Sequence, residues 1–169
     1  MNREILIRRL VADDCETIAK AFARQDWNKP ALQYQNYLKE QIGGEREVLI
    51  AEFKNEFAGY LTIIWQSKYA PFRENKIPEI VDFNVLVKFR NQGIGTALMN
   101  ASESLIAEKF KSVGIGVGLT FDYGAAQRLY VKRGYIPDGR GVSQSEKILR
   151  DGNKITVDDD LTLHFIKKL

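Results

Sequence analysis

Residues 85–96 of the chain read VLVKFRNQGIGT, and the assignment of the fold rests on them. An apolar strand ends at the start of this stretch, a short polar loop follows, and a helix opens on Gly93 and Gly95. Glycines let backbone N–H groups approach a ligand closely, and the first turn of a helix offers unpaired N–H donors at the positive end of its dipole. The stretch therefore predicts a phosphate-binding loop, to which Arg90 adds a charge and Thr96 a hydroxyl.

Two common phosphate-binding loops do not fit this stretch. A P-loop needs a Lys-Ser or Lys-Thr pair directly after its last glycine, and no such pair follows Gly95. A dinucleotide-binding loop needs a third glycine and a later acid for the ribose, and the spacing fits neither. Tight packing of the helix against the strand remains the alternative explanation for the two glycines.

The rest of the chain predicts a mixed α/β (α+β) domain. The predicted order is β-α-α-β-β-β-α-β-α-β, with room for one further strand in the tail. Lys54–Glu56 predicts a hairpin turn, and Lys68–Lys76 reads as a polar loop. The fourth and fifth strands are placed at Ile80–Val87 and Val113–Leu119. A hairpin followed by a strand–helix–strand unit indicates a mixed sheet with helices on its faces.

Length and composition favour a single domain over residues 1–169. The formal net charge of +3 is dispersed along the chain, whereas nucleic-acid binding usually needs a basic stripe, so a nucleic-acid partner is not expected. The one cysteine, Cys15, excludes an intramolecular disulfide. The sequence contains no run like that of a signal peptide and none that could span a bilayer, so a cytoplasmic location without a membrane partner is expected.

Two motifs together resemble those of the GNAT acetyltransferase superfamily. Arg90–Gly95 resembles the pyrophosphate motif of that family, Arg/Gln-x-x-Gly-x-Gly/Ala. Ala126–Tyr135 resembles the second signature of the family, Leu-Tyr-x-Lys-x-Gly-Phe/Tyr. The motifs occur in the family's order, with a strand between them, and the resemblance extends over nearly the whole chain although only Val81–Tyr135 is specific.

The resemblance implies a mostly antiparallel mixed sheet of six to seven strands, about four helices and a splayed central strand pair. It also implies acetyl-CoA as co-substrate, with the pantetheine arm in the gap of that pair. The residues implied in contacts with acetyl-CoA are Val85, Leu86 and Val87 for pantetheine and Arg90, Gln92, Gly93, Ile94, Gly95 and Thr96 for the pyrophosphate. Tyr123 lies where the family often has an asparagine that contacts pantetheine, and a phenol could make a similar contact.

Three side chains are the catalytic candidates that the resemblance implies. Tyr130 matches the tyrosine that often protonates the leaving thiolate, and its alternative role is that of a core aromatic. An alkylammonium acceptor must lose a proton before it can attack, so a base is needed. Glu79 lies at the offset of the general-base glutamate in histone-modifying members and is placed ahead of Asp82. Without a bulge the two face opposite sides of the strand, and both could instead be solvated or paired charges.

The fifth predicted strand and the only histidine complete the candidate residues. Gly114, Gly116 and Gly118 alternate with apolar residues, so they leave one face of the strand bare. That face has room for the cofactor or acceptor, or it serves close packing against a helix. His164 is interpreted as structural, with a base role as the alternative, and one histidine without a cluster predicts no metal site.

The function predicted from the resemblance is direct acetyl transfer from acetyl-CoA to a primary amine in a ternary complex. A small-molecule amine is the expected acceptor, bound in an aromatic-lined pocket to which Trp27, Tyr34, Tyr37, Trp65, Tyr69 and Phe72 contribute. The alternatives are a non-catalytic acyl-CoA sensor and a transferase acting on a protein or charged-tRNA amine. Homodimers are common in the family, and the sequence leaves the oligomeric state open.

Overall fold

The structure, a computed structural model, describes residues 5–169 and divides them into two compact units. One unit comprises the described residues up to Trp65 together with Val81–Leu105, and the other comprises Gln66–Ile80 and Ile106–Leu169. The prediction of one domain over residues 1–169 stays a prediction. No helix within residues 5–169 is long and apolar enough to cross a membrane.

The described residues form eight strands and five helices. In chain order these are β1 (Ile5–Arg9), α1 (Asp14–Ala23), α2 (Ala31–Gly43), β2 (Arg46–Phe53), β3 (Glu56–Ile64), α3 (Ala70–Glu74), β4 (Glu79–Val85), α4 (Ile94–Ala107), β5 (Ser112–Gly118), α5 (Gly124–Lys132), β6 (Ile136–Gln144), β7 (Lys147–Ile148) and β8 (Leu161–Lys168). Short 3-10 turns precede α4 and α5 at Val87–Phe89 and Phe121–Tyr123.

In the first unit the strand order is β1-β2-β3-β4, with antiparallel pairing from β1 to β3. The predicted hairpin forms between β2 and β3, where Lys54 and Asn55 both adopt positive φ, 51° and 65°. A two-residue turn of that conformation matches the twist of antiparallel strands. The core of this unit includes Ile18 and Phe22 of α1, both fully buried, and the thiol of Cys15.

In the second unit the order is β4-β5-β8-β6-β7, in which β4 and β5 run parallel and the remaining pairs are antiparallel. The mixed, mostly antiparallel fold class is thus confirmed, but the described residues contain eight strands where six to seven were predicted. The short strand β7 forms a hairpin with β6 through Ser145 and Glu146, which adopt positive φ. Neither residue is an Asn, Asp or Gly, the types that usually occupy a two-residue hairpin turn with positive φ, so the sequence pattern does not reveal it.

The prediction of a polar loop at Lys68–Lys76 is wrong in part, because helix α3 lies within it. Pro71 occupies the first turn of this helix, where its missing N–H costs no hydrogen bond. Phe72 is 1 % exposed and anchors the helix in the second unit. A helix of five residues is too short to produce a readable hydrophobic period.

The bare glycine face of β5 is covered by aromatic and other side chains of the same unit. A Cβ added at Gly114 would lie 2.2 Å from Cε2 of Phe72, and one at Gly118 would lie 2.4 Å from Cε2 of Tyr123. These rings occupy the space that side chains on β5 would otherwise fill. On this face the glycines therefore allow close packing, which is one of the two interpretations of their pattern.

Candidate functional site

The phosphate-binding loop predicted from the sequence begins where β4 ends, at Val85. The strand was predicted to continue to Val87, but the next two residues leave it. The N–H of Leu86 donates to the carbonyl of Ala58 (2.9 Å), and the N–H of Val87 donates to Oε1 of Gln25 (3.1 Å). Of the three residues predicted to contact pantetheine, only Val85 lies on the strand.

Helix α4 opens at the two glycines as predicted. Gly93 has a φ of +84°, a conformation that residues with a Cβ adopt only with strain, and its carbonyl accepts the N–H of Ala97 (2.9 Å). Gln92 and Thr96 are exposed, whereas Ile94 is 1 % exposed and anchors the first turn in the core. The first N–H groups of such a helix have no partner within the helix and can bind an anion.

Gly95 brings α4 close to β4. A Cβ at this position would lie 3.2 Å from Cζ of Phe83, tighter than most side-chain contacts. The second glycine of the motif therefore serves helix–strand packing, the alternative considered from the sequence. Packing thus accounts for Gly95, and ligand approach at Gly93 stays a prediction.

Arg90 is exposed beside this loop. Its Nε donates to the carbonyl of Val85 over 3.4 Å, and its guanidinium lies 5.6 Å from the centre of the Trp27 ring. Both partners are neutral. These contacts hold the guanidinium of Arg90 in place and leave its positive charge uncompensated by them.

Asp82 lies in the first unit and adopts a φ of 49°, which breaks the regular alternation along β4. Its carboxylate accepts five hydrogen bonds from side chains. The donors are Tyr60 Oη (2.5 Å), Tyr37 Oη (3.0 Å), Gln33 Nε2 (2.9 Å), Lys29 Nζ (3.1 Å) and Asn84 Nδ2 (2.8 Å). These five bonds occupy both carboxylate oxygens with donors from the same unit.

Glu79 lies in the second unit and is 6 % exposed. Its Oε2 accepts a hydrogen bond from Ser67 Oγ over 2.5 Å. Burial raises the pKa of this carboxyl to about 7, although the hydrogen bond from Ser67 opposes the shift. At neutral pH the group is therefore divided between its acid and base forms.

His164 lies close to Glu79, and sequence reasoning did not connect the two. Its Nε2 lies 3.8 Å from Oε1 of Glu79, and its ring stacks on Tyr69 with centroids 3.6 Å apart. Burial lowers the pKa of the imidazole to about 4, so the ring is neutral at pH 7. The sequence signal that could have suggested this pairing is the glycine alternation of β5, the strand between β4 and β8.

Tyr130 lies on α5 and is 5 % exposed. Burial raises the pKa of its hydroxyl, and the nearby Tyr123 adds to the shift, so the phenol stays protonated at neutral pH. Tyr123 covers Gly118 and donates to Oδ1 of Asp159 over 3.3 Å. The predicted contact of Tyr123 with pantetheine stays a prediction.

The aromatic side chains predicted to line an acceptor pocket are largely internal. Tyr34, Tyr69 and Phe72 are at most 1 % exposed and pack in the cores of their units. Trp27 stacks on Phe22, with ring centroids 5.8 Å apart. Within residues 5–169, no group of three or more histidine, cysteine or acidic side chains is placed to hold a metal ion.

Comparison with known proteins gives one family match. The sequence model of the acetyltransferase (GNAT) family matches residues 12–135. No curated protein sequence matches the chain closely enough to count as a relative.

Solved structures share the fold over almost the entire chain. Ard1 from Thermoplasma volcanium is 19 % identical with a TM-score of 0.71, and the match covers 98 % of each chain. RimL, a ribosomal L7/L12 alpha-N-protein acetyltransferase in complex with coenzyme A, is 13 % identical with a TM-score of 0.73, covering 99 % of this chain and 95 % of that one. An N-acetyltransferase from Staphylococcus aureus Mu50 is 14 % identical with a TM-score of 0.70, covering 97 % and 98 %. At these identities the likeness concerns the fold.

Proposed function

Because the chain belongs to the acetyltransferase (GNAT) family, we propose that it transfers an acetyl group from acetyl-CoA to the primary amine of a small molecule. In a ternary complex the amine nitrogen attacks the thioester carbonyl, the carbon–sulfur bond breaks, and the products are an acetamide and the thiol of CoA. The chain's own residues must remove one proton from the ammonium form of the acceptor and supply one proton to the departing sulfur.

The burial of Glu79, which is 6 % exposed with Oε2 bonded to Ser67, is the observation that carries this proposal, because burial raises the pKa of the carboxyl to about 7. An alkylammonium with a pKa near 10 needs a base that is ionised at the working pH and yet holds a proton well. A buried carboxyl that titrates near neutrality meets both conditions. Glu79 is therefore proposed as the general base, ahead of Asp82, whose carboxylate is already engaged by five donors.

Tyr130 is proposed as the acid that protonates the leaving thiolate. Its buried phenol keeps its proton at neutral pH, as this role requires. Val85, Leu86 and Val87 are proposed to contact pantetheine, together with Tyr123. The pyrophosphate is proposed to lie on the first turn of α4, held by Arg90, Gln92, Gly93, Ile94, Gly95 and Thr96.

The test is release of free CoA from acetyl-CoA across a panel of small amines, polyamines, aminoglycosides, lysine peptides and peptides with a free N-terminus. The last class is included because the RimL neighbour is described as an alpha-N-protein acetyltransferase. Tyr130→Phe should lower kcat by about 10²-fold or more with the best acceptor. Tyr135→Phe, a change at a second buried tyrosine with no proposed contact to substrate, is the matched control.

The outcomes separate the candidate functions. Turnover with one class of small amine supports the proposal, and turnover with peptides alone would support a transferase acting on macromolecules. Acetyl-CoA binding in calorimetry without turnover on any acceptor would favour the non-catalytic sensor. Absence of acetyl-CoA binding would overturn all three.

A further inference from the structure

Glu79 and His164 meet across an intervening strand whose residues on that face are glycines. Glu79 lies on β4 and His164 on β8, with β5 between them. In the two ladders Glu79 is paired with Gly114, and His164 is paired with Gly116. Because strands in a sheet lie about 4.8 Å apart, residues two strands away usually meet only over an empty intervening position. Here Gly116 has no side chain, and Nε2 of the imidazole, which a Cβ at Gly116 would approach to 3.3 Å, lies 3.8 Å from Oε1 of Glu79.

The imidazole is held in this orientation from several sides. Tyr69 stacks on it with an interplanar angle of 1°, and Phe72 contacts its edge at 88° with ring centroids 5.5 Å apart. Oγ of Ser143 lies 3.3 Å from Nδ1, the nitrogen that faces away from Glu79. The same hydroxyl lies 3.5 Å from the carbonyl oxygen of Thr162, a longer distance than that to Nδ1, so its one proton has two possible acceptors. When the Ser143 hydroxyl donates to Nδ1, the nearer acceptor, the single proton of the neutral ring resides on Nε2 and faces the carboxylate.

We propose that His164 is a positioning residue for Glu79: its Nε2–H faces Oε1 while Ser67 holds Oε2, which fixes the carboxylate in the orientation that accepts the proton of the acceptor amine. This inference rests on the proposed function, in which Glu79 is the general base. At 3.8 Å the contact is longer than a hydrogen bond, so the N–H dipole of His164 acts on Oε1 through its direction while the direct hydrogen bond to the carboxylate comes from Ser67.

Burial keeps the imidazole ring neutral, and the neighbouring charges act as follows. Asp138 of β6 raises the pKa of His164 and so opposes the effect of burial, whereas Glu146 of the turn after β6 raises the pKa of Glu79. Tyr69, which stacks on the ring, donates its hydroxyl to Asp138 and is in turn influenced by Arg140 of β6. Burial lowers the pKa of His164 to about 4, while that of Glu79 is raised to about 7. When the carboxylate takes a proton, the acceptor N–H bond breaks, an O–H bond forms on Glu79, and the imidazole keeps the proton it had.

The chain contains one histidine, so a single imidazole can be followed by ¹⁵N NMR in untagged protein. In the wild type we expect a protonated, pyrrole-type signal at Nε2 and a pyridine-type signal at Nδ1. Both signals should shift with a midpoint near pH 7, reporting the ionisation of Glu79, without the change that marks formation of imidazolium. Glu79→Gln should keep the tautomer and remove this pH response.

Kinetics with the acceptor found in the panel provide the second measurement. His164→Phe keeps an aromatic ring and removes the donor, so the acid-side midpoint of the kcat/KM profile should move up by about one pH unit. His164→Gln retains an N–H donor and should keep the midpoint near that of the wild type. Urea unfolding of both variants shows whether the protein remains folded, and the Glu79→Gln spectrum tests the pair without any change at His164.

The inference about His164 and the proposed role of Glu79 would be contradicted by different results. A pyridine-type Nε2, or a pH response that persists in Glu79→Gln, overturns the inference whatever the turnover. A wild-type pH profile in folded His164→Phe overturns the positioning role and leaves Glu79 as the proposed base. Undiminished turnover in Glu79→Gln instead overturns the proposed function of Glu79 itself.

Discussion

The hydroxyl of Tyr60 donates a 2.5 Å hydrogen bond to Oδ2 of Asp82, from a tyrosine that is fully buried. Asp82 sits in a strained backbone conformation, with φ at 49°, so the bond joins a rigid aromatic side chain to a point where β4 departs from regular geometry. Side-chain donors on α2 and in the connection before it reach the same carboxylate. Asp82 therefore ties the helical layer of the first unit to its sheet.

Tyr60→Phe should lower the free energy of unfolding by about 1.5–3 kcal/mol, because it removes a buried donor to a charged acceptor. Urea denaturation measures the change. Tyr123→Phe is the control, since its hydroxyl contacts the exposed Asp159 over 3.3 Å, and should cost less than about 0.5 kcal/mol. If the two variants lost the same free energy of unfolding, the hydrogen bond to Asp82 would contribute no more to stability than the exposed bond to Asp159.

Glu79 and His164 should give opposite pH dependences of stability. The pKa of Glu79 is raised from 4.5 to about 7, so between these pH values the folded state holds a proton on Glu79 that the unfolded state has lost. The contribution of Glu79 to stability is therefore lost as the pH rises from 4.5 to about 7. The pKa of His164 is lowered from 6.5 to about 4, so its contribution is lost as the pH falls through that window. Each shift corresponds to about 3 kcal/mol, and the two largely cancel between pH 5 and 6.5.

Urea denaturation at several pH values separates the two contributions. Between pH 5 and 6.5, Glu79→Gln should become more stable relative to the wild type as the pH rises, because only the histidine contribution remains. His164→Gln should become less stable over the same range. Slopes of the same sign in both variants would contradict the opposed shifts.

Gly114→Ala should destabilise the protein by about 1–3 kcal/mol, because the added Cβ would lie 2.2 Å from Cε2 of Phe72 and the buried ring must move. Gly124→Ala is the matched control: that glycine opens α5 with a helical φ of −57°, and its Cβ would meet no atom within 4 Å. The control should be stabilising by about 0.4–1 kcal/mol. Thermal unfolding measures both, and a neutral Gly114→Ala would show that Phe72 has room to shift.

Gly93→Ala should weaken acetyl-CoA binding by about tenfold, equivalent to about 1.4 kcal/mol. Gly93 precedes the first turn of α4 with a positive φ of 84°, and an added Cβ strains the backbone in that conformation. Gly44→Ala is the control at a similar φ of 79°, at the end of α2, with no atom within 4 Å of its Cβ. Both variants should lose about 1–2 kcal/mol of stability. Calorimetry should find weaker binding in Gly93→Ala alone, and equal affinities would remove the loop from the proposed site.

Turn residues and hydrophobic periodicity predicted those elements of the fold that depend on residues close together in sequence. The hairpin at Lys54–Asn55, the start of α4 at the glycines and the alternating strand β8 follow from turn chemistry and hydrophobic period. Helix α3 and strand β7 escaped prediction because five and two residues are too few to show a period.

The contact between Glu79 and His164 could not be predicted for a different reason, because it depends on the order of the strands in the sheet. The sequence identified Glu79 as a candidate base and the glycines of β5 as unusual, but not that β8 lies beside β5. Only that strand order brings His164 to Glu79. Likewise, the five donors that engage Asp82 come from sequence positions 29 to 84, and no spacing rule links them.

The burial of Cys15 makes the chain's only thiol a reporter of opening motions. The side chain is 3 % exposed, and burial raises the pKa of the thiol, so a thiol reagent reacts with it only when α1 lifts away from the core. The labelling rate under native conditions therefore measures the local opening of this helix, and a dependence on acetyl-CoA would reveal whether ligand binding slows it. For the same reason, the folded protein does not consume the reagent that detects released CoA.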